Sequence, residues 1–159
     1  MMVKKMKKTI CLLIPIFIIL LLCSCGEKNT DSSLLTVDLI SDALISKLNF
    51  EITPEEIDSA VALSDYAIDE LLVSEVRYFR VGSAVADEIA VFNVKNADDI
   101  PSIENAVSER IKYLKEGFSD YKPSEVPKIE NAYTKTIGNI VILCICDDIS
   151  SVDGIISSL

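Results

Sequence analysis

The sequence predicts an α+β fold: an antiparallel sheet of about four strands in two hairpins, with one long helix on one face and N-terminal helices on the other. Three observations carry that expectation. Ile100, Ile103, Val107, Ile111, Leu114 and Phe118 recur at steps of three and four, which draws a single apolar stripe along a long helix with charges opposite. Two pairs of β-rich segments, 73–81 with 88–95 and 133–137 with 140–146, flank that helix, each pair joined by a short turn. Ile140 to Cys146 is apolar without a break, the pattern of a strand covered on both faces, so two covering layers are needed.

Val37, Ile40, Leu44 and Leu48, with Ala43 alongside, set a helix over about 36–48. Thr53-Pro54-Glu55-Glu56 has the form of a capping box with proline at the first helical position, which predicts a short helix to about Leu63. Ser64-Asp65 opens a further turn of helix to about Leu72. Val73 to Val81, rich in Val, Tyr and Phe, reads as a strand; Gly82-Ser83 begins the turn into the next, Glu88 to Lys95. Asp98 and Asp99 suit the N-terminus of the long helix, Lys112 and Lys115 lie toward its far end, and Pro123 and Pro127 follow its stop. Gly138-Asn139 suits a two-residue hairpin turn between Tyr133–Ile137 and Ile140–Cys146. Ile149 to Leu159 is a short amphipathic segment, weakened as a helix by Gly154 and its serines. The long helix is expected to cover one face of the sheet and the 36–48 helix the other.

The start of the chain has a different character. Lys4-Lys5-Met6-Lys7-Lys8 precedes a 13-residue apolar run, Ile10 to Leu22, which ends in Leu22-Cys23-Ser24-Cys25-Gly26. A spanning helix needs about 20 apolar residues, whereas a basic start, a short apolar run and a small-residue cleavage site describe a signal peptide. Leu three before the cysteine, Ser just before it and Gly just after resemble a bacterial lipobox. The expectation is a lipoprotein signal peptide over 1–24, lipidation of Cys25 as the first mature residue, a polar tether over 25–33, and one domain over 34–159. Eight tether residues, Gly26 to Ser33, span about 15 Å root-mean-square, so the domain is expected to ride close to the bilayer.

Removing the four leader lysines leaves 11 basic residues against all 25 acidic ones, a formal net charge of −14 on the mature chain. Such a surface repels nucleic acid and anionic lipid alike. The chain has no histidine and no tryptophan. Absence of histidine excludes Ser-His-Asp and Cys-His catalysis and histidine-based zinc sites. Cys144 and Cys146 are the cysteines of the folded part; two apart on a strand, they point to one face at the far edge of disulfide reach, and buried reduced thiols are the expected state.

Three acidic doublets stand at strand ends: Asp87-Glu88, Asp98-Asp99 and Asp147-Asp148. The first two lie at opposite ends of one strand; whether the last two meet, as a calcium site would require, depends on strand order. Arg110 is expected in a structural ion pair, and Lys112 and Lys115 as solvated charges. Tyr66, Tyr78, Phe79, Tyr113, Tyr121 and Tyr133 are candidates for a pocket or partner surface.

Ala86-Asp87-Glu88-Ile89-Ala90-Val91-Phe92, the long helix with Arg110, and Thr136-Ile137-Gly138-Asn139-Ile140-Val141-Ile142 together resemble an uncharacterised family of small Gram-positive bacterial lipoproteins with a single domain of unknown function. The resemblance covers about Thr36 to Asp148 and implies no established activity. The expected function is a non-enzymatic protein-interaction or envelope-assembly accessory module at the outer face of the cytoplasmic membrane. Its expected partners are the membrane, through the lipid on Cys25, and an envelope protein, with no nucleic acid and no cofactor or metal. The alternative is a small ligand-binding lipoprotein accessory to transport or surface-polymer modification, and last a carboxylate or metal-dependent enzyme.

Overall fold

A computed structural model describes residues 35–82 and 84–159. The expected signal peptide, Cys25, the whole of the expected tether and Ser83 lie outside the described residues. Thr36 caps the first helix, α1 (Val37–Lys47), by accepting the Leu39 backbone N–H at 3.1 Å. Next come β1 (Glu55–Ile57), α2 (Ser59–Asp65), β2 (Val73–Arg80) and β3 (Glu88–Val94). The long helix α3 (Ile100–Tyr121) and a short helix α4 (Val126–Glu130) precede β4 (Tyr133–Ile137), β5 (Ile140–Ile145) and α5 (Ile149–Ser157).

The five strands form one antiparallel sheet in the order β1-β2-β3-β5-β4. The α+β class, the two hairpins and the long helix are as the sequence predicts. The central strands β3 and β5 are buried along nearly their whole length, so β3 joins β5 as a strand covered on both faces. Alternation splits their side chains into two cores. Ala90, Phe92, Val94, Val141, Leu143 and Ile145 pack with Tyr78 against Ile103, Val107 and Phe118 of α3. Ile89, Val91, Ile140, Ile142 and Cys144 pack with Phe79 against Val37, Ile40 and Leu44 of α1 and Val152 and Ile156 of α5. Each fully buried Ile, Leu or Val side chain is worth about 1.5–3 kcal/mol. In the β4–β5 turn only Gly138 takes φ > 0, at 57°, the φ pattern of a type II′ turn with glycine first.

Two elements correct the sequence reading. The capping box at Thr53–Glu56 does not start a helix. Glu55–Ile57 pairs instead with the free edge of β2, Glu56 opposite Phe79, and the Glu56 carboxylate meets Arg77 at 2.5 Å. A tertiary strand pairing outweighs a local propensity of a few tenths of a kcal/mol per residue. The helix begins after Asp58, whose carboxylate accepts the Ala60 N–H at 2.8 Å. It stops at Asp65, because Ala67 takes φ 51° and turns the chain away before Leu72. The second correction is α4, which the prolines do not prevent: Pro127 sits in its first turn, where no N–H partner is needed.

Candidate functional site

Glu88 opens β3 and Arg110 lies on the inward stripe of α3, one position before Ile111. Both are buried, at 3% and 6% exposure. The guanidinium forks the carboxylate, with Nε donating to Oε1 at 3.0 Å and Nη2 to Oε2 at 2.7 Å. The Tyr66 hydroxyl donates to Oε1 at 2.6 Å. The Tyr78 hydroxyl accepts from Nη2 at 3.0 Å, and its single proton faces Asp65 at 3.0 Å and Glu88 at 3.2 Å. The Tyr66 ring lies 5.6 Å from the guanidinium carbon and edge-on to Tyr78 and Phe92. Burial, followed by the Glu88 charge, pushes both tyrosine hydroxyls far above their ordinary range. Burial alone would lower Arg110, but its bonds to Glu88 outweigh that and raise it. The third nitrogen, Nη1, has no acceptor among the described residues, and Arg110 forms part of a cavity lining.

That cavity is a cleft of ≈ 450 Å³ between the second half of α3 and the β2–β3 connection. Arg110, Glu88 and Asp65 form its base, with Arg80 beside them; Leu114, Phe118 and Val85 form apolar walls. Tyr113 and Tyr121 stand at its rim, each 68% exposed. Gly117 leaves the α3 wall open, since a Cβ there would meet nothing within 4 Å.

A second cluster holds the β2–β3 connection in place. Lys128 of α4 reaches Asp87 at 3.0 Å, Asp147 at 3.1 Å and Glu125 at 3.2 Å. Glu125 also accepts the Ala86 N–H at 3.1 Å, and Lys122 donates to the Ala84 carbonyl at 3.0 Å. Burial raises the Asp87 carboxyl above its usual range, only partly offset by Lys128. For Glu125 burial also raises, but the Ala86 N–H, Lys122 and Lys128 outweigh it and bring the carboxyl below its usual 4.5. A folded-state value below the unfolded one means stability that is present above pH 4.5 and lost as pH falls through the folded value. Glu125→Gln is therefore expected to cost about 1.5 kcal/mol at pH 7. In urea titrations the gap to wild type should close as pH falls below about 4.5; a gap that persists undiminished there would refute the assignment.

Residues 46–146 match the family described as domain of unknown function (DUF4358), about two thirds of the chain. The chain belongs to the DUF4358 family. The matched DUF4358 stretch takes in all five strands with α2, α3 and α4, and hence the cleft and both ion-pair clusters except Asp147; nearly all of α1 and the whole of α5 lie outside it. Over 79 residues the chain is 32% identical to the highly reducing polyketide synthase poxF of Penicillium oxalicum, a stretch of 48% of this chain and 3% of that enzyme. The chain thus spans a small fraction of that relative's length, and the match bears on no activity here. No solved structure matches.

In the structure the acidic doublets separate. β3 and β5 run antiparallel, so the end of β5 meets the start of β3. Asp147 therefore joins Asp87 through Lys128, while Asp98 and Asp99 lie at the far end of β3, before α3. Asp148 accepts from Ser151 at 2.7 Å at the start of α5. Among the described residues no group of three Asp, Glu, Cys or His side chains is placed to hold a metal ion. Arg110 makes the expected ion pair, and Lys112 and Lys115 pair only with exposed Glu109 and Glu130. Cys144 and Cys146 are buried and free, with sulfurs 3.8 Å apart; their shared hydrogen bond, and burial with it, push the Cys144 thiol up. Of the candidate aromatics, Tyr66, Tyr78 and Phe79 are buried, Tyr133 bonds Asp153 at 2.9 Å, and Tyr113 and Tyr121 are left at the cleft. Sequence reasoning missed Asp65, Glu125 and Lys128; for the last two the signal was their i,i+3 spacing after Pro123.

Proposed function

We propose that this DUF4358 chain is a non-enzymatic, lipid-anchored module at the outer face of a bacterial cytoplasmic membrane, held there through Cys25, and that it receives a small ligand in the α3 cleft. The observation that carries the reading is the cleft itself. It has a size usual for ligand sites and apolar walls, and polar groups converge at its base. Such a pocket favours the ligand-binding alternative over a flat interaction surface. The lipobox pattern of Leu22 to Gly26 supports the location. Non-catalytic binding is supported by the state of the carboxylates beside the cleft: Glu88 is forked by Arg110, and Asp87 is tied to Lys128. Carboxylates already engaged by a cation in this way are poorly placed to shuttle protons.

Gly117→Trp tests the reading, because Gly117 lines the cleft and a Cβ there meets nothing within 4 Å, so a large side chain can be introduced at that wall. Titrated with a soluble extract of the source organism's cell envelope, the wild-type protein should show amide NMR shifts concentrated at Leu114, Gly117 and Tyr121. The Gly117→Trp variant, with unchanged melting temperature, should show none there. An extract that leaves the wild-type cleft resonances unmoved would sink the proposal.

A further inference from the structure

The chemistry of the cleft narrows what it can hold, an inference that rests on the ligand-binding reading above. Arg110 is 94% removed from solvent by the 6% exposure that remains to it, yet Nη1 has no acceptor among the described residues while the other two nitrogens are engaged. Nη1 keeps solvent contact where Arg110 lines the cleft, and is a donor free to meet an incoming oxygen. The charge beneath it is already balanced, two arginines (Arg110 and Arg80) facing Glu88 and Asp65, with Asp65 at 3.6 Å and 3.5 Å from the two guanidinium groups. Exposed Glu116 adds an acceptor at the rim. An anion would therefore find no net positive charge to bind, and residues 25–159, of formal net charge −14, would repel it. Donors and acceptors set side by side suit groups that both donate and accept, which is the property of hydroxyls.

The rim adds shape. Tyr113 and Tyr121 are two exposed rings on one side of α3, about 12 Å apart along the helix axis at 1.5 Å per residue. Tyr113 has Arg110 at 5.8 Å, and Tyr121 is braced edge-on by Phe118 at 6.4 Å. Braced, exposed rings at that spacing can each take the apolar face of a ring in an elongated ligand. None of the cleft lining belongs to the edge strands β1 and β4, where an extended peptide would find backbone partners.

We propose that the cleft binds an uncharged oligosaccharide, with sugar rings on Tyr113 and Tyr121 and a hydroxyl or ring-substituent oxygen on Arg110 Nη1. Because Arg110 also holds Glu88, the test uses the tyrosines. Full-length protein in detergent micelles is titrated with neutral tetrasaccharides of glucose and of N-acetylglucosamine, with tetragalacturonate, and with mixed tetrapeptides, following the tyrosine ring resonances. A neutral tetrasaccharide should bind with Kd of about 1 mM or tighter. Tetragalacturonate should bind at least about tenfold more weakly, and Tyr113→Ala and Tyr121→Ala should each weaken binding about tenfold at unchanged melting temperature. Three outcomes overturn the proposal: tighter binding of the uronide, equal binding by both variants, or no response to any neutral saccharide. Ring shifts with peptides but not with sugars would overturn the ligand class and leave the binding module standing. Silence of the rings toward sugars, peptides and the envelope extract alike would remove both.

Discussion

Arg110→Ala should destabilise the domain by about 3–5 kcal/mol, enough to leave much of it unfolded at 37 °C. The cost comes from what the substitution abandons. Glu88 is 3% exposed and loses both nitrogens that fork it, keeping only the tyrosine hydroxyls. A buried carboxylate left without its cation carries the full desolvation penalty. The removed side chain also leaves a void beside Tyr66 and Tyr78. The double variant Arg110→Met with Glu88→Leu should recover most of the loss, because two apolar side chains of similar length demand no partners. Urea denaturation of the single and double variants reads both effects. A single-variant loss below about 1 kcal/mol would mean that the pair is solvated and that the site is wrongly described.

Cys25→Ser is expected to have the largest effect on location. Only a sulfur nucleophile can take the diacylglyceryl group as a thioether, so the variant should lose all incorporation of labelled fatty acid. Each buried methylene contributes about 0.8 kcal/mol, and one chain alone holds a protein only marginally, so lasting attachment needs the two or three chains of a lipidated cysteine. Residues 25–159, at a formal net charge of −14, offer no electrostatic substitute. Among the described residues no helix is long and apolar enough to cross a membrane. Fractionation should therefore move the variant from the membrane to the medium. Continued membrane attachment of Cys25→Ser would instead indicate an uncleaved N-terminal helix.

The elements that the sequence makes legible are those whose signals are local and repeated. The stripe from Ile100 to Phe118, the shorter stripe from Val37 to Leu48, and the hairpin turn at Gly138 each write their geometry into adjacent residues, and the structure follows them. β1 was hidden because the local pattern of Thr53 to Glu56 favours a helix, while the deciding partner, β2, lies more than 20 residues away. The cleft was hidden for a similar reason: Asp65, Val85 and the α3 residues Arg110 and Tyr121 come from three separate stretches of chain, and no spacing links those stretches. One clue was present. Arg110 stands where the stripe of α3 should be apolar, and a charge in that place requires a buried acid; Glu88, at the head of a strand whose next four residues are fully apolar, was the natural partner.

The fork between Arg110 and Glu88 also bears on how the long helix finds its seat. An apolar stripe repeats, so α3 displaced by one turn, 5.4 Å along its axis, would still offer isoleucine, valine and leucine to the sheet at modest loss. The guanidinium does not repeat. Displaced by a turn it would strand two opposite charges in separate apolar surroundings, each at a cost of several kcal/mol. The pair thus converts a graded contact into one with a single permitted register. Tyr113 and Tyr121 lie on the same rigid rod as Arg110, and the distance from the rim of the cleft to its base is set by that lock.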